Sequence, residues 1–410
     1  MTRRALVIGG SIGGLFAANA LRKIGWDATV FERVGEPLIG RGAGIGTHGE
    51  LIAALRRLGL PVDETVGIQV PMRICLDRSG RVTHRLAAPH LQSSWGRIYT
   101  LLKEALPAAS CRFDMSLERF EQDPSGVTAV FSDGTRERGD LLVGADGIRS
   151  TVREVLWPQA QPRYAGYVAW RGLVDESAFA PALHKELFEC YTICLPEGEM
   201  MLTYPVPGRN NDTRPGRRCY NLMWYRPTDY HRTLPELCTD ASGRCHGISI
   251  PPPLIRPEVG ASVKAAAREL LAPQIAALVE LIDQIFFQAI FDLESPCMTL
   301  GRVALVGDAA FVARPHVGAG VTKAALDAES LAYELAAHSN IADALAGYDR
   351  SRRRFGSWLV ARGRRLGAYI EAQLKPPSER TESDRQPPPE FLLREVGAIS
   401  LGVRELTAYG

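Results

Sequence analysis

Paired cysteines, long apolar runs and an excess of either charge are all missing from this sequence. None of the eight cysteines forms Cys-x-x-Cys, and no histidine pair accompanies them at zinc-finger spacing. A dithiol redox centre and a structural zinc site of that kind are therefore not expected, and no metal is. Reduced thiols in a cytoplasmic protein are the expectation. No stretch of about 18 apolar residues occurs, so no helical membrane span is expected. The opening MTRRALVIGG breaks into glycine after a short apolar run, which suits a strand better than a signal peptide. Lys and Arg number 48 against 46 Asp and Glu, a net charge of +2, which disfavours a nucleic-acid partner. What remains is ordinary globular composition over 410 residues, 46% hydrophobic, 8% aromatic and 23% charged. At roughly 100–200 residues per domain, two or three domains are expected.

The first 34 residues read strand, turn, helix, strand. Ala5-Leu6-Val7-Ile8 is a parallel-type strand, Gly9-Gly10-Ser11-Ile12-Gly13-Gly14 a tight turn, and Leu15 to Ile24 a helix ended by Gly25. Ala28–Phe31 is the second strand, and it delivers Glu32. This is the dinucleotide-binding order, with Gly9, Ser11 and Gly14 at the three glycine positions and Ser11 replacing the second. Ser11, Ile12, Gly13 and Gly14 lead into the helix, whose N-terminal free N–H groups suit phosphate. Glu32, followed by Arg33, is placed to accept hydrogen bonds from a ribose.

Two further strands end in an aspartate. Leu141–Val143 runs into Gly144-Ala145-Asp146-Gly147, and Arg302–Val306 into Gly307-Asp308. A carboxylate there can hold ligand hydroxyls, and a turn or helix cap is the alternative for either one. A nicotinamide dehydrogenase explains the first site and not the other two. Residues 163–293 change character. Tyr164, Tyr167, Trp170, Tyr220, Trp224 and Tyr225 alternate with smaller residues, which suits an antiparallel sheet with few helices before about 263. Helices are expected over 319–337 and 341–374, and a linker or surface loop over the proline-rich 376–390.

In order and spacing, the three glycine–acid motifs resemble those of the single-component FAD-dependent aromatic hydroxylases, the family of p-hydroxybenzoate hydroxylase. Tyr164–Gly172 (YAGYVAWRG), Tyr204–Gly208 (YPVPG), Arg314-Pro315-His316 and the serine in the glycine turn are similar to its 2,6-dihydroxypyridine 3-hydroxylase branch. The resemblance implies an α/β fold: a Rossmann-like, GR2-type FAD domain, an inserted mixed or antiparallel substrate sheet, and C-terminal helices. The corresponding segments are 1–162 and 294–340 for FAD, 163–293 for substrate and 341–410 for the tail. It implies non-covalent FAD, with NADH or NADPH as co-substrate. The reaction implied is hydroxylation of a hydroxylated N-heterocycle or phenol by O2 through a flavin C4a-hydroperoxide.

The same resemblance places Asp308 on the ribityl chain, and Pro315, Gly318, Ala319, Gly320 and Val321 along the flavin ring. Asp146 and Gly147 fall near the pyrophosphate and the nicotinamide donor. There are departures. Tyr99 stands where the family often has an arginine on FAD, and Phe311 where a histidine often follows Gly-Asp-Ala-Ala. Arg41, in the glycine-rich stretch 40–46, is a further candidate for holding the ring.

Aromatic hydroxylation gains from a base that removes the ring hydroxyl proton. His48, His316, Tyr204 and Tyr225 are the candidates, although the tyrosines also suit sheet packing and the histidines turn or loop roles. Arg171 suits a structural role better than binding an acidic substrate, and the arginines of 350–365 suit a solvated helix face with some ion pairs. A flavin-dependent reductase or desaturase, and a non-enzymatic dinucleotide-binding regulator, are the competing functions. The missing Cys pair and the single glycine fingerprint argue against a disulfide oxidoreductase. The partners expected are a small aromatic molecule and O2, with a homodimer left open.

Overall fold

A computed structural model describes residues 2–38 and 44–397. Arg41, with Gly40 and Gly42, lies outside the described residues. The short apolar runs of the sequence become a six-stranded sheet, in the order 299–300, 303–305, 141–144, 4–8, 27–31, 111–112. Its strands are parallel except at the 299–300 edge. Helices Ile12–Lys23 and Gly320–Ala337 pack together beside it. Both faces of its central strands are covered, which is why they read as unbroken apolar runs.

The second sheet has nine strands, in the order 311–312, 286–294, 163–175, 219–227, 200–206, 190–194, 68–76, 82–94, 44–47. All its pairings are antiparallel except that of 190–194 with 68–76. This sheet recruits three strands from 44–94, ahead of the expected boundary at 163. Helices Pro257–Leu270 and Pro273–Glu280 contribute to an apolar cluster on one of its faces.

The other face meets a 31-residue helix, Ile341–Glu371. Three glycines of this helix, 356, 363 and 367, let residues 311–316 approach it. A Cβ on Gly356 would sit 2.5 Å from the Phe311 ring, and one on Gly363 2.9 Å from the Arg314 backbone nitrogen. The arginines of this helix combine a solvated face with ion pairs, as expected: Arg350, Arg353, Arg354 and Arg365 are exposed. Arg364 bonds Asp292 and Glu294, and Arg352 bonds the buried Asp327 at 2.8 Å. The proline-rich stretch is pinned, with Thr381 and Asp384 forming a reciprocal cap, and it leads into an unforeseen helix, Pro389–Glu395. Among the described residues every cysteine is free, and no helix is long and apolar enough to cross a membrane.

Candidate active site

The carboxyl ends of strands 4–8, 141–144 and 303–305 converge on a cavity of about 320 Å³. Gly9, Ser11, Ile12, Gly13, Glu32, Arg33, Asp146, Gly147, Gly307, Asp308, Gly320 and Val321 all line it. Gly9 has φ of 107°, and a Cβ there would collide with the Ala145 carbonyl, so only glycine fits. A Cβ on Gly14 would meet the Gly9 carbonyl, which explains a glycine that packs behind the wall. Ser11 is the N-cap of the first helix but makes no side-chain capping bond. The first N–H groups of that helix therefore begin at the cavity without a cap. Glu32 is buried, and its carboxylate accepts from Gly10 N (2.7 Å) and Val34 N (2.9 Å), so it also braces the glycine turn.

The other two motif turns are tied together by a residue not singled out by the sequence. Buried Arg153 donates to Ile148 O (2.7 Å), Ala160 O (3.1 Å) and Ala309 O (3.1 Å). Asp146 Oδ2 accepts from Val152 N, whereas its Oδ1 is buried without a partner. Burial pushes that carboxyl above its usual range against the pull of Ser150 and the backbone. Asp308 presents open surface to the cavity while protein encloses it. The enclosure raises its pKa, and Lys323 opposes the rise. Lys323 itself bonds Gly307 O (2.8 Å) and Asp327 (2.7 Å), and Asp327 accepts from Gly307 N (3.0 Å). This buried ion pair fixes the turn that carries Asp308.

These features fit an adenine–flavin dinucleotide: an uncapped helix start, a carboxylate atom lacking a donor, and acids at two strand ends. Tyr99, expected at the cofactor, is set back from the cavity. Its hydroxyl accepts from Leu38 N at 3.1 Å, and its ring stacks on Trp95, which supplies the wall instead. Ala319 is buried in an apolar cluster.

A second, smaller pocket of about 50 Å³ lies where the nine-stranded sheet meets the loop 315–318. Pro315, His316, Gly318, Tyr204 and Tyr225 line it, with Arg73, Gln92, Tyr191 and Gly397, which the sequence reading did not pick out. Gly318 has φ of 64°, the left-handed conformation that turns the chain into the helix at 320. His316 Nε2 pairs with the Tyr167 hydroxyl at 2.8 Å, and its ring lies 4.2 Å from that of Tyr225. Burial, helped by Arg314, lowers the His316 pKa to about 3. It is a neutral ring and a poor base. In the tautomer in which Tyr167 donates to Nε2, Nδ1 carries the proton; that buried nitrogen has no partner.

Burial raises the pKa of Tyr204 and Tyr225, so both are hydroxyl donors at neutral pH. His48 is half-buried outside the pocket wall. It bonds the Thr322 hydroxyl (3.0 Å) and the Gly397 carbonyl (3.1 Å), and burial lowers its pKa. Arg171 does not line the pocket. It reaches Gln288 on the neighbouring strand at 3.4 Å.

Residues 2–215 and 292–363 match the model of an FAD binding domain, and residues 164–292 that of an FAD binding domain-like family. The chain is 30% identical over 370 residues to 2,6-dihydroxypyridine 3-monooxygenase of Paenarthrobacter nicotinovorans, covering 90% of this chain and 92% of that protein. The solved structure of 2,6-dihydroxypyridine-3-hydroxylase from Arthrobacter nicotinovorans superposes with a TM-score of 0.84 at 29% identity, over 90% and 93% of the two chains. That of Klebsiella pneumoniae HpxO complexed with FAD and uric acid gives 0.74 at 25% identity, over 99% and 95%. The regulator reading is thereby displaced: the chain belongs to the FAD binding domain family and, within it, to the FAD-dependent aromatic-ring monooxygenases.

Proposed function

We propose that this chain hydroxylates a small hydroxylated N-heterocycle, of hydroxypyridine type, using NADH or NADPH and O2. The observation that carries this reading is the aromatic pocket of Tyr191, Tyr204, Tyr225 and His316, whose loop 315–318 runs directly into Gly320 and Val321 of the FAD cavity wall. Bound FAD would supply the redox and oxygen chemistry, passing electrons from the nicotinamide donor to O2 and one oxygen atom to the ring.

The chain's own residues do the holding. Ser11–Gly13 would meet the pyrophosphate, Glu32 the adenosine ribose, Asp308 the ribityl hydroxyls, and Pro315 to Val321 the ring. Asp146 and Gly147 complete the middle of the cavity. Strands from 44–94 and 163–293 together form the substrate side. The hydroxyls of Tyr204 and Tyr225 and the Nδ1–H of His316 are donors toward a ring oxygen. Such donors favour the ring's deprotonated form, which is the better nucleophile. His48, tied to both Thr322 and Gly397, orients the pocket edge.

A panel of hydroxypyridines, hydroxybenzoates and purines tests this, with NAD(P)H oxidation and product mass as readouts. A hydroxypyridine gaining one oxygen with coupled NAD(P)H use is the expected result. Hydroxylation confined to phenols or purines would refute the proposed substrate class.

A further inference from the structure

Arg73 stands out among the groups around the aromatic pocket. It sits in the apolar strand Ile68–Leu76 and is 3% exposed. The parallel register sets it beside Tyr191, and its guanidinium lies 4.8 Å over that ring. Tyr191 in turn stacks on Tyr204, with centroids 5.2 Å apart and planes 3° apart. Arg73, Tyr191 and Tyr204 thus form a row across three strands beneath the pocket.

Among the described residues no carboxylate lies within ion-pair distance of Arg73. Its Nη1 donates only to the carbonyls of Leu393 (3.1 Å) and Val396 (2.6 Å), and its Nε is buried without a partner. Burying a charge with no counter-charge is costly, so the site is incomplete as it stands. Gln92, also 3% exposed and on the same pocket wall, has a buried Oε1 with no donor. The pocket therefore presents a cationic N–H donor and an amide acceptor, both unsatisfied.

We propose that Arg73 determines specificity by binding the substrate as its anion: the guanidinium takes a ring oxyanion, and Gln92 Oε1 accepts from an adjacent ring N–H. An oxyanion beside a ring N–H is the edge of a deprotonated hydroxypyridine in its pyridone form. This assignment rests on the hydroxylase reading above, and names the ionisation state and edge of its substrate. The other titratable groups around Arg73 supply it with no free counter-charge. Burial raises Tyr191 and Tyr204 and lowers His90 to about 4 and His316 to about 3. His48 is lowered too, and Glu395 on the C-terminal helix is paired to Arg362 at 2.8 Å. Ligand charge is thus the variable that Arg73 meets.

The test uses the FAD-loaded protein and 4-nitrophenol, an aromatic hydroxyl that ionises near neutral pH, with binding read from the bound-flavin spectrum. Wild-type affinity should rise about tenfold per pH unit from about pH 5 to 6.5, where the probe is mostly neutral, and level off by about pH 8 once it is ionised. Arg73→Met should lose that dependence, and Arg73→Lys should keep it because the charge remains. An arginine that only clamps Leu393 and Val396 would lower affinity equally at every pH. A pH-independent wild-type affinity, or an Arg73→Met profile parallel to wild type, would overturn the proposal. If Arg73→Met fails to fold, the wild-type and Arg73→Lys profiles decide it alone. Failure of every aromatic probe to perturb the flavin would instead sink the hydroxylase reading, and this proposal with it.

Discussion

Gly367→Ala probes how the long C-terminal helix positions the pocket. Alanine is the better helix former by about 1 kcal/mol, so propensity alone predicts a gain. The space does not allow it. A Cβ at 367 would lie 3.0 Å from His316 Nε2 and closer still to the Tyr167 hydroxyl. Neither neighbour has room to retreat, since Tyr167 is 0% and His316 1% exposed. Overpacking of that kind costs about 1–3 kcal/mol. Separating the Tyr167–His316 pair strands a buried donor and acceptor for about 1–3 kcal/mol more. The net loss expected is about 1–5 kcal/mol, measured by urea unfolding at fixed FAD concentration. Gly260→Ala is the control, because Gly260 is in a helix and its Cβ would meet nothing within 4 Å. It should gain up to about 1 kcal/mol. Gly367→Ala matching or exceeding Gly260→Ala would refute the argument that the glycine is there for the pair.

Asp308→Ala should weaken FAD binding about 10- to 150-fold while leaving the unfolding midpoint of the apoprotein within error, from one charge-assisted contact of about 1.5–3 kcal/mol; flavin titration checks it. Lys323→Met leaves Asp327 with Arg352 as its remaining cation, and should cost about 3–5 kcal/mol of stability in an unfolding titration. His316 is neutral in the fold, with its pKa at about 3 against an ordinary 6.5. The unfolded chain therefore binds the extra proton first. Stability is full above 6.5 and falls as pH drops toward 3, and His316→Asn should flatten part of that slope. Flavin reduction by NAD(P)H should be at least about tenfold faster with a bound ring substrate, since the segments at 44–46 and 318–320 can let the flavin ring shift. Equal stopped-flow rates with and without a proven substrate would exclude such gating.

The residues of the first cavity were legible because each motif is local. Gly9 to Glu32 is one strand–turn–helix–strand unit, and the aspartates at 146 and 308 follow strands with recognisable apolar runs. The pocket was less legible because it is assembled across the sheet. Arg73, Tyr191, Tyr204 and Tyr225 come from four strands and meet only through register. The one available signal for Arg73 was a lone charge inside the apolar strand IQVPMRICL. Strand 82–94 half-exposes most of its residues and has weak apolar alternation, so the large sheet's reach into 44–94 did not show. The ion-pair partners of the last helix's arginines, Asp292, Glu294 and Asp327, could not be named from the sequence because they are 25 to 72 residues away on other elements. Tyr99 was placed by analogy with an arginine position, and the stacked Trp95 four residues earlier took the wall instead.

Oxygen transfer to a heteroaromatic ring is the centre of the account, and isotope labelling reads it most directly. The FAD-loaded protein, NAD(P)H and 2,6-dihydroxypyridine are combined under 18O2 in ordinary water, and the product is weighed by mass spectrometry. One labelled oxygen atom per product molecule, with one NAD(P)H consumed for each, is the predicted result. A product whose new oxygen comes from water, or NAD(P)H oxidation that yields only hydrogen peroxide across the whole substrate panel, would contradict it.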